Sequence, residues 1–227
     1  MIKGYFITGT DTDVGKTLVS ASLLYLLRQQ GLSVVGMKPI ASGCRKTGQG
    51  LRNDDASLLI EHSSHQPEYN DVNPYAFEAA IAPHIAAAVN NTQIEIETIY
   101  QAFMRLSQSN DYCIVEGVGG WRVPVNQNKT MVDVARRIGL PVIVVVGIRL
   151  GCINHALLTI ESINLSGLEC AGWIANCIDP GAAEIGKVID AIAERADKPL
   201  LGIIPHQSSL SVQDCASFIN IESIISI

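Results

Sequence analysis

Short aliphatic runs alternate along the chain with segments of helical periodicity. Six runs have the length and composition of buried strands, at 3–8, 33–38, 112–117, 141–147, 170–176 and 200–205. The spacing of apolar residues predicts helices at 16–30, 54–62, 94–108, 132–138, 153–165 and 182–196. A regular β-then-α order predicts an α/β fold, with a mostly parallel sheet, right-handed crossovers and helices on both faces.

The pattern is weakest at 41–93, which contains the polar, glycine-rich stretch "SGCRKTGQGLRND" directly after a predicted strand. Loops at the carboxyl ends of strands form the ligand crevice of an open α/β sheet. The stretch is therefore a candidate substrate loop, and a surface excursion is the alternative that stays open. No linker or internal repeat divides the 227 residues, so we expect a single domain spanning 1–227.

Composition narrows the classes of function. The net charge is −6 and the 16 basic residues are scattered, so we expect no nucleic-acid partner. The six cysteines show no CxxC spacing, and no signal peptide or membrane-length apolar run is visible. We therefore expect a reduced, cytoplasmic protein without a membrane partner.

The stretch "GTDTDVGKT", residues 9–17, stands between the first strand and the first helix. A strand, a loop ending in Gly15, Lys16 and Thr17, and then a helix form the context of a P-loop. In such a loop the backbone N–H groups hold phosphate, the lysine reaches the outer phosphates and the threonine hydroxyl binds Mg²⁺. The first glycine, Gly9, is one position early, and Thr10 stands where the usual pattern has glycine.

Charged residues at other strand ends complete the candidate site. Glu116 ends the buried run "YCIVE", where an acid is unfavourable unless it is paired or bound to a cation, although a cap or turn carboxylate is the alternative. Asp54 and Asp55 begin a predicted helix; we expect Asp54 to cap it and Asp55 to face the site. Lys38 ends the second strand and would add positive charge near the γ-phosphate, unless it is merely solvated.

Taken together, the segments "YFITGTDTDVGKT", "MKPIASG", "GLRNDDA", "NPYAF", "APHIAA", "VEGVGGW", "LPVIVVVGIRLGCINHALLT", "AGWIAN" and "PLLGIIP" resemble dethiobiotin synthetases. The resemblance runs in order from residue 5 to 205. It implies a homodimeric enzyme of the P-loop NTPase fold that depends on ATP and Mg²⁺. Such an enzyme inserts CO₂ between the two amines of 7,8-diaminopelargonate, through a carbamate and a carbamic-phosphoric anhydride, to form dethiobiotin in biotin biosynthesis.

The resemblance also implies roles for individual residues. The catalytic residues would be Lys16 and Lys38, and the Mg²⁺ ligands Thr17, Asp55 and Glu116. The nucleotide would contact Asp13, Val14, Gly15, Lys16, Thr17, Leu18, Asp55, Glu116, Gly117, Val118, Gly119, Asn176, Cys177, Pro205, His206 and Gln207, with Asn176 at the adenine edge. The diamine substrate would contact Thr12, Ser42 and, across the dimer interface, Gly151, Cys152, Ile153 and Asn154.

Two aspartates in a phosphate-binding loop require an explanation. Asp11 and Asp13 could moderate the field for a diamine, order Lys16, hold a metal-bound water or cap the turn. Asp13 stands where the family commonly has glutamate. No acidic residue follows Pro205 at the distance expected for a ribose contact, so the nucleotide preference stays open. The alternative function is a partition or division-site ATPase, whose loop carries an extra lysine that "TGTDTDV" lacks.

Overall fold

The computed structural model describes residues 3–225. The strands are β1 (Lys3–Gly9), β2 (Val34–Met37), β3 (Ile40–Ala41), β4 (Arg45–Thr47), β5 (Gly50–Arg52), β6 (Tyr75–Ala76), β7 (Tyr112–Gly120), β8 (Val142–Gly147), β9 (Cys170–Asn176) and β10 (Leu200–Ile204). The helices are α1 (Lys16–Gln29), α2 (Asp54–His62), α3 (Tyr69–Val72), α4 (Pro83–Val89), α5 (Ile96–Ser107), α6 (Met131–Ile138), α7 (Cys152–Leu165), α8 (Ile185–Ala196), α9 (Val212–Ala216) and α10 (Glu222–Ile225).

All six predicted strands are confirmed and form one parallel sheet in the order β10-β9-β8-β1-β7-β2. In the register, Ile7 of β1 lies opposite Glu116 of β7 and Ile143 of β8. The carboxyl ends of β1, β7 and β2 are neighbours, so the sheet brings the loop at 10–15, Glu116 and Lys38 to one edge.

The sheet is buried on both faces, as its continuous aliphatic runs require. β8 is buried along its whole length. Alternate residues of β1, β7 and β8 enter two separate core clusters, one containing Phe6 and Val115 and the other Ile7 and Ile114. Successive strand side chains point to opposite faces. The predicted arrangement, with helices on both faces, is therefore confirmed.

The six predicted helices are present, with bounds shifted by up to three residues. α5 begins at Ile96 rather than at 94, because Glu95, with φ −100° and ψ 122°, has an extended backbone. Ile94 is fully buried in the preceding loop. The eighth begins at Ile185 after Glu184, whose φ of 53° interrupts the helix. Within residues 3–225, no helix has both the length and the apolar character needed to cross a membrane.

The segment 41–93 has more regular structure than its pattern predicted. Besides α2, it contains the β4–β5 antiparallel hairpin, the short helices α3 and α4, and β6, which pairs in parallel with β3. These elements have two to seven residues, too few to establish a hydrophobic period. α3 packs against β2, while β3 and the start of α4 contribute Ala41 and Pro83 to one side of the candidate site.

Candidate active site

The phosphate-binding loop is held by close packing at its glycines. Gly15 precedes α1 with φ 88°, and a Cβ there would lie 2.2 Å from Nδ2 of Asn176. That amide donates a hydrogen bond to the Val14 carbonyl at 2.9 Å. At Gly9, a Cβ would approach Cγ2 of Val14 to 2.6 Å. Only glycine fits these two positions, so the early first glycine is compatible with a compact loop.

Lys16 extends from this loop without a carboxylate in contact. Its Nζ donates a 2.8 Å hydrogen bond to the backbone carbonyl of Asp11, and no ion pair to Lys16 occurs within residues 3–225. Burial, with the positive charge of Lys38 as the second cause, lowers the Lys16 pKa to about 8. Lys16 is thus a buried cation that an incoming anion would stabilise.

Lys38 has the opposite surroundings. Its Nζ lies 2.8 Å from Oδ2 of Asp55 and 2.5 Å from Oε1 of Glu116. Burial acts to lower the Lys38 pKa, but the charges and hydrogen bonds of Glu116 and Asp55 outweigh it and raise the pKa above its ordinary value. Burial likewise opposes ionisation of Asp55, yet the Lys38 charge holds the Asp55 pKa below its usual range. The solvated-lysine alternative for Lys38 is wrong.

The donor set at this edge suits Mg²⁺. Oγ1 of Thr17 lies 2.9 Å from Oε1 of Glu116, while Oε2 of Glu116 is buried without a hydrogen-bond partner. Within the described range, no three His, Cys, Asp or Glu side chains gather as an all-protein metal site. Mg²⁺ commonly binds one or two carboxylates together with substrate phosphates and water. Thr17, Asp55 and Glu116 therefore fit a metal that arrives with a nucleotide.

Two expectations about carboxylates need correction. The residue that caps α2 is Asn53, whose side chain accepts a hydrogen bond from the Ala56 N–H at 3.2 Å. Asp54 is the first helical residue and pairs with Arg45 at the surface, so its predicted capping role is wrong. The alternative of Glu116 as a cap or turn carboxylate is also wrong, because Glu116 lies inside β7 and is 1% exposed.

A cavity of about 670 Å³ gathers most of the predicted chemistry. The predicted residues that line it are Thr12, Asp13, Gly15, Lys16, Thr17, Lys38, Ser42, Asp55, Glu116, Val118 and Gly119. Oγ of Ser42 is buried without a partner, as expected of a group reserved for a ligand. A larger, more open groove of about 1070 Å³ beside the β4–β5 hairpin contains none of these residues. We place the site in the smaller cavity because the lysines and carboxylates converge there.

Some lining residues were missed by sequence reasoning. They are Ala41, Asn53, Ala80, Ile81, Ala82, Pro83 and Val123. Four of them form the approach to α4, and the proline at the first helical position was the available signal. The others contribute mainly small or apolar surface, which no chemical motif marks.

Other predicted residues lie outside the cavity of their own chain. Val14 has its side chain in the core, Leu18 packs beside the same cluster, and Gly117 lies against the Phe6 ring. Five predicted nucleotide contacts lie at or directly after the ends of β9 and β10: Asn176, Cys177, Pro205, His206 and Gln207. Of these, Asn176 is the residue predicted at the adenine edge, with help from the backbone of residues 205–207. The four residues predicted to contact the substrate across the dimer interface lie at the start of α7: Gly151, Cys152, Ile153 and Asn154.

Asp11 has a local structural role in the loop. One oxygen of its carboxylate accepts the Thr12 N–H at 2.8 Å, and the other pairs with Arg149. The Thr12 hydrogen bond, followed by Arg149, holds the Asp11 pKa below its usual range against partial burial. The Asp11 side chain thus bonds within its own loop and to Arg149, and its backbone carbonyl accepts a hydrogen bond from Lys16. Asp13 is exposed at the cavity with φ 57°.

Comparison with known proteins agrees with this geometry. The family profile described as "AAA domain" matches residues 3–214. The ATP-dependent dethiobiotin synthetase BioD of Cellvibrio japonicus is 46% identical over 98% of this chain and 98% of its own length. The chain belongs to the dethiobiotin synthetase family. A second dethiobiotin synthetase, from Vibrio parahaemolyticus, is 43% identical over the whole of both chains.

The fold of this member of the dethiobiotin synthetase family is shared by solved structures that are distant in sequence. The MinD cell division protein of Aquifex aeolicus has a TM-score of 0.59 and 17% identity, covering 98% of this chain and 94% of that protein. This likeness confirms the predicted P-loop NTPase fold and shows nothing beyond the fold.

Proposed function

We propose that the protein catalyses the ATP- and Mg²⁺-dependent closure of 7,8-diaminopelargonate with CO₂ to dethiobiotin, a step of biotin biosynthesis. The observation that carries this proposal is that one cavity contains a phosphate-binding loop and two buried lysines, of which one is paired with carboxylates and the other is not. Family membership supplies the substrate class, and the charges along the cavity fit its chemistry.

The first demand of the reaction is a neutral amine. Free alkyl amines are mostly protonated near pH 7, and a nearby positive charge lowers their pKa. Lys16 provides that charge, since no carboxylate in the described structure pairs with it. The amine nitrogen attacks the carbon of CO₂ and loses a proton, and the resulting carbamate anion is stabilised by the same lysine.

Phosphoryl transfer and ring closure follow at the same edge. A carbamate oxygen attacks the γ-phosphorus of ATP and ADP leaves; the second amine then attacks the carbonyl carbon and phosphate leaves. Gly15, Lys16 and Thr17 hold the phosphates during these steps, and Lys38 faces the reacting groups. Thr17, Asp55 and Glu116 would hold Mg²⁺, which would supply neutralising charge at the phosphates. Ser42 positions the diamine through its unpartnered hydroxyl.

The nucleotide base would lie beyond the loop, against the ends of β9 and β10. Asn176 already donates one amide hydrogen to Val14, which leaves its carbonyl oxygen and second hydrogen for the adenine edge. The backbone of Pro205, His206 and Gln207 follows directly after β10. The same amide would thus connect base recognition to the phosphate loop.

Product formation tests the proposal directly. Purified protein is incubated with 7,8-diaminopelargonate, bicarbonate, ATP and Mg²⁺, and dethiobiotin is sought by mass. Omission of each component and the Lys16→Ala protein serve as controls. ATP hydrolysis that responds to DNA or lipid, without dethiobiotin formation, would instead support the nucleotide-switch alternative.

We further propose that the functional unit is a homodimer in which the start of α7 completes the partner's substrate site. No residue of 151–154 lines the cavity of its own chain. The surface beside them carries exposed apolar side chains: Leu150 is fully exposed, and Leu158 is 56% and Leu165 76% exposed on α7. In such a dimer the N–H groups in the first turn of α7 would hold the distal carboxylate of the substrate.

A mixing experiment separates a shared site from a site built within one chain. A Lys38→Ala protomer is combined with an Ile153→Pro protomer. Proline is chosen because it is tolerated in the first turn of a helix, and the folding of this variant is checked first. A shared site predicts that the mixed dimer regains one intact site and a substantial fraction of wild-type activity. Subunit exchange without recovered activity would overturn the shared-site arrangement.

A further inference from the structure

Arg149 lies between β8 and α7, outside every role assigned above. Its guanidinium pairs with the carboxylate of Asp11 across 138 positions of sequence. Asp11 is joined in turn to two residues of the cavity: its other carboxylate oxygen accepts the Thr12 N–H, and its backbone carbonyl accepts Nζ of Lys16, each at 2.8 Å. A single residue therefore connects Arg149 to the lysine of the phosphate loop.

This connection matters because the Lys16 side chain is buried and its ammonium group has a single hydrogen bond among the described residues. Its ammonium group makes no ion pair within the described residues, so the Asp11 carbonyl is its hydrogen-bonded partner in the loop. The direction of that carbonyl depends on the backbone torsions at Asp11. The bonds from Thr12 and Arg149 to the carboxylate restrain those torsions from two sides.

We propose that Arg149 is a positioning residue for Lys16, acting through Asp11. The inference rests on the proposed role of Lys16 at the outer phosphates. Arg149 fixes the Asp11 side chain, the fixed side chain orients the carbonyl, and the carbonyl places the ammonium group where the phosphates bind. Asp11 therefore helps nucleotide binding even though its own charge opposes it.

The two effects of Asp11 have opposite signs, which makes Asp11→Asn a sharp test. Asparagine keeps an oxygen for the Thr12 N–H but loses the ion pair with Arg149. If charge alone matters, removing an anion beside the phosphates strengthens ATP binding. Positioning predicts the reverse: Asp11→Asn and Arg149→Gln each weaken binding of the β,γ-imido analogue of ATP by roughly two- to fivefold, as expected for a half-exposed pair.

Titration calorimetry with this analogue and with AMP gives the decisive comparison. AMP lacks the outer phosphates, so its affinity should stay unchanged in both variants. The double variant should bind the analogue no more weakly than Arg149→Gln alone, because both changes break one connection. Arg149→Lys should restore part of the affinity. Tighter binding by Asp11→Asn, additive losses, or equal losses for AMP would overturn the inference.

An exposure-matched pair elsewhere controls for loss of a surface ion pair. Arg137 and Glu97 have side chains 41% and 59% exposed, against 42% and 49% for Arg149 and Asp11. Arg137→Gln and Glu97→Gln should leave the affinities for the analogue and AMP unchanged.

Lys16→Ala distinguishes failure of the proposed role of Lys16 from failure of the proposed role of Arg149. If the Lys16→Ala protein still prefers the analogue over AMP, the proposed role of Lys16 at the outer phosphates fails. If the Lys16→Ala protein loses this preference while the Arg149 variants keep it, only the positioning role of Arg149 fails.

Discussion

Two regions of the molecule, the phosphate loop after β1 and the end of β2, each place one buried lysine at the same edge of the sheet. In the loop, Lys16 contacts a neutral carbonyl and has its pKa lowered to about 8. At the end of β2, Lys38 contacts the carboxylates of Glu116 in β7 and Asp55 in α2 and has its pKa raised. Lys16 therefore offers uncompensated charge to an anion. The charge of Lys38 is already balanced until its carboxylates bind another cation.

The largest effect expected from this comparison is on turnover. Lys16→Ala removes the positive charge that we propose stabilises the transferring phosphoryl group, and losses of several orders of magnitude in kcat are expected. Steady-state formation of dethiobiotin measures it, with circular dichroism to verify folding. Near-normal activity would show that the loop does not serve as the phosphate site.

A second prediction concerns stability, where the two lysines should differ in sign. Lys38→Met leaves Asp55 and Glu116 without their partner, and breaking such a buried pair lowers the free energy of unfolding by about 3–5 kcal/mol. Lys16→Met removes a charge that the folded state disfavours, so stability near pH 7 should be equal to or above that of wild type. Chemical denaturation without metal measures both differences, and equal losses would contradict the comparison.

The pH dependence sharpens this contrast. The folded state holds the Lys16 pKa below its ordinary value of 10.5, so the unfavourable charge is fully present below pH about 8. Between that value and 10.5 the unfolded chain binds more protons, and wild-type stability gains relative to Lys16→Met. The stability advantage of the Lys16→Met variant should therefore fade over this range.

Added Mg²⁺ should recover part of the stability of Lys38→Met, since a cation replaces the missing ammonium.

The same contrast explains what could be predicted from the sequence. The strands, the parallel sheet and the P-loop fold follow from aliphatic runs and from Gly15, Lys16 and Thr17, because these patterns depend on local chemistry. Glu116 was also recognisable, since an acid in a buried strand demands a partner. That its partner is Lys38 was not recognisable, because the pair depends on β2 lying beside β7.

Other contacts were out of reach for the same reason. Arg149 meets Asp11 only after β8 and β1 have paired, and neither residue carries a motif for the other. Asn53 was missed as the cap of α2 because Asp54 and Asp55 follow it immediately and are equally good capping residues. The elements between 41 and 93 are short, so tertiary packing rather than periodicity decides them.

The third prediction tests the carboxylates that compensate Lys38. Asp55→Asn and Glu116→Gln should each raise the Mg²⁺ concentration needed for half-maximal activity, by roughly tenfold, more than they raise the KM for diamine. Binding of Mn²⁺ followed by electron paramagnetic resonance gives a readout independent of turnover. Unchanged metal dependence in both variants would show that the two residues serve only Lys38 and not a metal.

The smallest effect is expected at Asp13, the exposed aspartate of the loop. Its carboxylate acts on Lys16 through charge rather than contact, and it lines the cavity. If it moderates the field for an incoming diamine, Asp13→Asn should raise the diamine KM by roughly two- to fivefold, the range of exposed charge interactions. Asparagine tolerates the positive φ of this position, so the loop conformation should be preserved.

Asp54→Asn, at an exposed aspartate outside the cavity, is the control and should leave the diamine KM unchanged. An unchanged diamine KM in Asp13→Asn would remove the field-moderating role from this residue, and Lys16 would then act without a compensating anion at the cavity mouth.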